Sequence, residues 1–250
     1  MAGEPRLITL AISPFNELAR WGLERAGIGY REERQALVWH VIASRRAGGK
    51  GTTPVLIADG EVLAESTDIV EWANDQPGAR RRLYPEGPGR DEARALVAHY
   101  VEDLGPESRR VIWGYLVNEP TLAARYWRQG VSAGPRRAQP WLLRIGKVGV
   151  RRALGLSQRA VEAAPGRVRA VFDEVAERLS DGRPHLIGDE LTVADIAFAA
   201  MASPAILPSH GYPARMPSPE EFPESIAATI RDLRAHPAGA FALRLYRDER

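Results

Sequence analysis

The sequence predicts an α/β domain at the N-terminus followed by an all-helical C-terminal domain. Three observations carry that prediction. A strand, a helix and a second strand follow one another within the first 35 residues. Asp59-Gly60 separates two apolar runs, which is the strongest short hairpin signal a sequence offers. Beyond a stretch dense in proline and glycine, residues 75–89, helical periodicity continues with no convincing strand.

The elements follow in order. Leu7 to Ile12 reads as a buried strand. Ser13-Pro14 is an N-cap followed by a first helical residue, and Leu18, Ala19, Gly22 and Ala26 keep helical spacing from Phe15 until Gly27. Tyr30 to Arg34 supplies a second strand, so this part is a βαβ unit with a parallel pair. Val38 to Arg46 is a short helix, and Gly48-Gly49-Lys50-Gly51 is a flexible approach to Pro54. Pro54 has no N–H for a central ladder, so it opens a strand. After the hairpin, Ser66 is an N-cap for a helix running to about Asn74. This order matches a thioredoxin-like domain over residues 1–80.

The second domain spans residues 90–250. Asp91 to Val117 reads as one long helix, and Arg167 to Leu179 as another, with Val168, Val171, Phe172 and Val175 on one face. Thr192 and Asp195 form a capping box, and Leu191 can staple to Ile196. That box is a folding element, with no chemistry assigned to Asp195.

Composition narrows the function classes. The 250 residues carry a net charge of +2, too balanced for a nucleic-acid binder without a local patch. No apolar run reaches the roughly 18–20 residues of a membrane span. Met1-Ala-Gly-Glu-Pro-Arg lacks a basic region followed by a long apolar one, so the expected location is cytoplasmic. Cysteine is absent, which excludes disulfides, thiolate metal ligands and any enzyme cysteine able to form a mixed disulfide. The five histidines show no metal-ligand spacing, and there is no phosphate-binding glycine loop or hydrolase triad.

The order proline, strand, tight turn, strand, helix start suits a pocket for a small peptide. A cis Thr53-Pro54 bond turns the preceding backbone N–H and C=O outward, where an extended ligand can pair with them as a short added strand. The helix behind Ser66 offers free N–H groups and a positive dipole end to a carboxylate. Glu65 beside it suits an ammonium group. An amino-acid head fits the pair.

The segment from Thr53 through Asp59-Gly60 to Glu65-Ser66-Thr67-Asp68-Ile69 resembles the glutathione site of the glutathione S-transferase family. The resemblance covers nearly all of the first domain, and the second at the capping box. It implies that Thr53 and Pro54 hold the cysteinyl part of glutathione and that Glu65 and Ser66 hold its γ-glutamyl head. It also implies a thiol-activating donor just after the first strand. That position is Ser13, making the chain serine-type rather than cysteine- or tyrosine-type, with class unassigned. No tyrosine is close by in sequence, and Asn16, one turn in, is the competing donor. For the glycine carboxylate the candidates are Trp39, His40, Arg45, Arg46 and Lys50. Arg45 is preferred, because guanidinium pairs well with carboxylate, and His40 is read as a structural helix residue. Phe15, Trp113 and Tyr115 are expected to wall the second-substrate site.

One segment departs from the family pattern. Residues 120–161 carry no acid but hold Arg125, Arg128, Arg136, Arg137, Arg144, Lys147, Arg151, Arg152 and Arg159, with Tyr126, Trp127 and Trp141 among them. It reads as a solvated insertion with its aromatics packed inward, as a lid that attracts acidic compounds, or, third in order, as a contact for anionic lipid or nucleic acid. In the lid reading it forms additional helix beside the second-substrate cleft.

The functional expectation is a glutathione transferase that adds the thiolate of glutathione, its co-substrate, to a small, partly apolar electrophile, or a glutathione-dependent isomerase, dehalogenase or ether-cleaving variant. The alternative is a non-catalytic glutathione-binding or assembly protein that keeps the fold. In either case a homodimer is expected, without metal, nucleic acid or membrane span.

Overall fold

The computed structural model describes residues 3–133, 144 and 146–250. Its first domain is thioredoxin-like, running β1 (Arg6–Leu10), α1 (Pro14–Ala26), β2 (Arg31–Gln35), α2 (Trp39–Arg46), β3 (Val55–Ala58), β4 (Glu61–Leu63) and α3 (Ser66–Asp75). The sheet order is β2-β1-β3-β4. β1 pairs parallel with β2 (Leu7 opposite Glu32) and antiparallel with β3 (Leu7 opposite Leu56), and β3 pairs antiparallel with β4. The hairpin turn forms at Asp59 and Gly60, both at positive φ (52° and 84°), as its residue types demand. The Thr53–Pro54 peptide is cis.

The predicted elements shift by small amounts, for physical reasons. β2 reads Arg-Glu-Glu-Arg-Gln, an edge strand whose charge protects it from pairing with another chain. Residue 65, not Ser66, is the N-cap of α3: Glu65 has extended backbone angles and makes no side-chain capping bond, while Ser66 is already helical and buried. The glycine approach to Pro54 is anchored rather than loose. The buried Ser44 hydroxyl accepts from the Gly51 N–H at 3.0 Å, and the Ser44 carbonyl accepts from Gly49 at 2.8 Å. α1 and α3 meet so closely that a β-carbon on Gly22 would lie 2.5 Å from a Val70 methyl.

The second domain is all-helical in its described residues. It contains α4 (Gly89–His99), a π-helical turn (Tyr100–Leu104), α5 (Gly105–Leu116), α6 (Pro120–Trp127), α7 (Gln158–Arg178), α8 (Val193–Ile206), a 3₁₀ turn (Pro219–Glu221), α9 (Glu224–Ala235) and α10 (Pro237–Asp248). Residues 146–153 are also helical. The long helix expected over residues 91–117 is interrupted. Pro106 has no N–H and its ring crowds the carbonyl four residues back, so the chain widens into the π turn before continuing as α5. No helix among the described residues is long and apolar enough to cross a membrane.

α8 is the axis of this domain, and every one of its residues is buried. Its start is held by the capping box. The buried Asp195 carboxylate accepts from the N–H groups of Thr192 and Leu186, both at 2.8 Å, while the Thr192 hydroxyl accepts from the Ala194 N–H at 3.3 Å. α8 packs against α5 and α10 and against α1 of the first domain. Replacing Asp195 by Ala strands two buried N–H groups, so it should lower the unfolding free energy by about 2–4 kcal/mol. Urea unfolding of the two proteins measures this, and an unchanged midpoint would show that the box contributes nothing.

Candidate functional site

A cavity of about 490 Å³ opens where the two domains meet. The first domain lines it with the end of β1 and start of α1 (Leu10, Ile12, Ser13, Pro14, Phe15), the turn into α2 (Leu37, Val38, His40, Val41) and the loop before β3 (Gly51, Thr52, Thr53). The second domain supplies Arg109, Ile112 and Trp113 from α5, Trp127 from α6, Pro204 from α8, and Gly146, Gly149, Val150, Ala153 and Leu154 from the insertion. Trp113 and Trp127 pack together with ring centroids 4.8 Å apart. The insertion therefore contributes helix and a buried Trp127 to the cavity wall. Arg136, Arg137 and Trp141 lie outside the described residues.

Ser13 caps α1. Its hydroxyl oxygen accepts from the Asn16 N–H over a long 3.5 Å, which leaves its proton free to donate elsewhere. Its backbone is gripped from the other domain. The Tyr212 hydroxyl accepts from the Ser13 N–H at 3.1 Å and donates to the Ser13 carbonyl at 3.3 Å. Asn16 is fully buried, and its amide donates to the Thr53 hydroxyl at 3.1 Å and to the Leu10 carbonyl at 3.5 Å. Asn16 thus ties α1 to the loop before Pro54 and does not line the cavity.

The polar strip runs away from this cavity. Pro54 is buried at the start of β3, and Ser66 is 4% exposed in the first turn of α3. Glu65 is open to solvent, with the Lys50 ammonium 3.4 Å away. Arg45 is exposed on α2 with its Nε over Gly51, and it does not line the cavity. Tyr115 requires a correction. Two residues beyond Trp113 is about 200° around a helix, so it faces a second groove with Asn118, Val161, Pro165 and Ile226, and its ring meets Phe222 at 5.9 Å. Of the three expected wall residues, Phe15 and Trp113 line the cavity and Tyr115 does not.

The sequence matches family models at both ends. Residues 7–81 match the glutathione S-transferase N-terminal domain, and residues 158–235 match the C-terminal domain. The chain belongs to the glutathione S-transferase family. Solved transferase-fold structures are similar over nearly their whole length. β-Etherase LigF from Sphingobium sp. strain SYK-6 is 17% identical, with a TM-score of 0.61 over 97% of this chain and 99% of that one. A maleyl pyruvate isomerase, a bacterial Zeta-class glutathione S-transferase, is 21% identical, with a TM-score of 0.57 over 98% and 99%. A glutathione S-transferase from Methylobacillus flagellatus KT, solved with glutathione bound, is 16% identical, with a TM-score of 0.55 over 96% and 98%. At these identities the likeness establishes the fold alone. No curated protein matches the chain in sequence.

Two polar residues of the interdomain cavity escaped sequence reasoning in their present role. Arg109 was legible in principle, because it sits one turn before Trp113 and shares its helix face. His40 was read as structural, yet it lines the cavity with a buried Nδ1 that has no partner among the described residues. Tyr212 had no local signal, being 199 residues from its contact. Among the described residues no group of His, Cys, Asp and Glu is arranged to hold a metal ion.

Burial pushes the His40 imidazole down from 6.5 to about 4, so it is neutral in the folded protein at neutral pH. An unfolded chain binds that proton below about 6.5, whereas the folded one resists until about 4. Stability from this group is therefore complete above pH 6.5 and is lost as pH falls toward 4. Melting temperature followed between pH 7 and 4 should drop more steeply for the native protein than for His40→Gln. Parallel curves would show that His40 titrates normally.

Proposed function

We propose that this protein is an enzyme that binds glutathione along the Thr53–Pro54 loop and the N-terminus of α3, and adds its thiolate to an electrophile held in the interdomain cavity. The carrying observation is that Ser13 and Thr53 line one cavity whose remaining wall is mostly apolar. A peptide laid along the Thr53–Pro54 backbone brings its thiol to the boundary between the Ser13 hydroxyl and that apolar space.

Each residue then has a task. Thr53 and Pro54 offer outward backbone groups to the cysteinyl part. Ser66, with the first turn of α3, receives the γ-glutamyl carboxylate, and Glu65 receives the ammonium. Arg45 serves the glycine carboxylate from its exposed place on α2. The Ser13 hydroxyl donates to the sulfur, and the N-terminal dipole of α1 adds positive potential, so the thiolate is favoured over the thiol. Each unit by which the thiol pKa falls corresponds to about 1.4 kcal/mol of differential stabilisation. The thiolate forms the new carbon–sulfur bond with an electrophile seated against Phe15, Trp113 and Trp127. The displaced electron pair departs with a leaving group such as chloride or, in an addition, passes to the electrophile and takes up a proton. Family resemblance also supports a cytoplasmic homodimer.

Replacing Ser66 by Ala should weaken glutathione binding by about 1–3 kcal/mol, the usual loss when a charged group gives up a hydrogen bond. Titration calorimetry reads this directly, and unchanged affinity counts against the site. Ser13→Ala should lower kcat/KM and raise the pKa of bound thiol, read from thiolate absorbance, while glutathione affinity changes little. If Asn16→Ala does this and Ser13→Ala does not, the donor role passes to Asn16.

A further inference from the structure

The cavity contains one charged side chain among its described lining residues, and that charge has no partner among the described residues. The Arg109 guanidinium carbon lies 5.4 Å from the centroid of the Phe15 ring. Its Nε is buried without a hydrogen-bond acceptor among the described residues, and no described carboxylate pairs with the residue or lines the cavity. The nearest acid along α5, Glu107, is already taken. It is held by Arg110 at 2.5 Å and by Arg167 at 2.8 Å.

A cation so placed is costly. Removing a guanidinium from water without a counter-ion opposes folding, and the ring face of Phe15 returns only part of that cost. Burial and the neighbouring Arg110 pull its pKa down to about 10, which still leaves it charged at neutral pH. Nothing in the described fold repays this. An anion entering the cavity would, through charge-assisted bonds strengthened by the surrounding apolar wall.

We propose that the electrophile carries an anionic group, a carboxylate or sulfonate on an aromatic or similarly apolar body, and that Arg109 holds that group while Phe15 and the Trp113–Trp127 pair hold the body. This rests on the transferase reading for the reaction, but the anion preference of the cavity is measurable without it. The half-buried Arg109 guanidinium is distinct from the insertion's exposed arginines, such as Arg125 and Arg128, because its attraction depends on one position rather than on net charge.

The test uses 4-chloro-3-nitrobenzoate and its methyl ester, which share an electrophilic carbon and differ in charge. With glutathione, the acid-to-ester ratio of kcat/KM should fall about ten- to hundredfold in Arg109→Gln and recover substantially in Arg109→Lys. Calorimetry without glutathione should show the same loss in affinity for the acid and little change for the ester. Melting temperature should be unchanged or higher in Arg109→Met, since a half-buried charge without a described partner is removed. An acid that does not bind, or binds Arg109→Gln equally well, overturns the proposal. So does a variant that loses glutathione affinity with its acid-to-ester selectivity intact, which would assign Arg109 to the peptide. If glutathione fails to bind the native protein, the transferase reading falls, and the calorimetric comparison still decides Arg109.

Discussion

The cleft depends on one constraint: α1 is buried over most of its length and still carries polar groups inside. Arg20 is fully buried, and it donates to the Leu10 carbonyl and, from Nε, to Glu32 at 2.6 Å, while its Nη1 lies 3.6 Å from the Glu17 carboxylate. Glu17 is also fully buried. Burial pushes its carboxyl up while Arg250 and Arg20 pull it down, and the Arg250 Nε lies 2.8 Å away. Arg250 follows α10, so Glu17 gains this second cation beside Arg20 only when that helix has docked. In such a site the partners are obligatory, because an unpaired buried charge costs several kcal/mol. The register of α1 is thereby fixed from both domains.

That fixed helix places the chemistry. Its first turn presents Ser13 and Phe15 to the cavity, with the Ser13 backbone held by Tyr212 and the following turn held to Thr53 through Asn16. The result is a division of labour across the domain boundary. The first domain contributes backbone groups and a helix dipole suited to a zwitterionic peptide. The second contributes aromatic walls and, among the described lining residues, one half-buried cation, Arg109, suited to an apolar anion.

Local signals in the sequence were readable where the physics is local. Asp59-Gly60 demands positive φ, and Thr192 with Asp195 makes a reciprocal cap, so both elements follow from a few adjacent residues. The mixed sheet follows from the strand-helix-strand order and the hairpin. Long-range placement was less accessible. Tyr115 was grouped with Trp113 by nearness in sequence, although helical rotation sends them to different faces. Ser66 has the residue type of an N-cap, but the chain enters α3 one residue earlier. Tyr212 reaches Ser13 only because α8 and the loop after it lie over α1, which no short motif encodes. Arg109 was hidden by a different effect. An arginine on a helix is normally solvated, and only the folded cavity reveals that this one is half-buried, with its Nε covered and no carboxylate paired to it among the described residues.

The most direct test of the account is a crystal structure of the protein with glutathione. The account predicts the peptide extended along the loop before β3, with its γ-glutamyl head at Glu65 and Ser66 and its sulfur within hydrogen-bonding distance of the Ser13 hydroxyl, at the mouth of the apolar cavity. Glutathione bound elsewhere, or an empty loop at saturating glutathione, would contradict it.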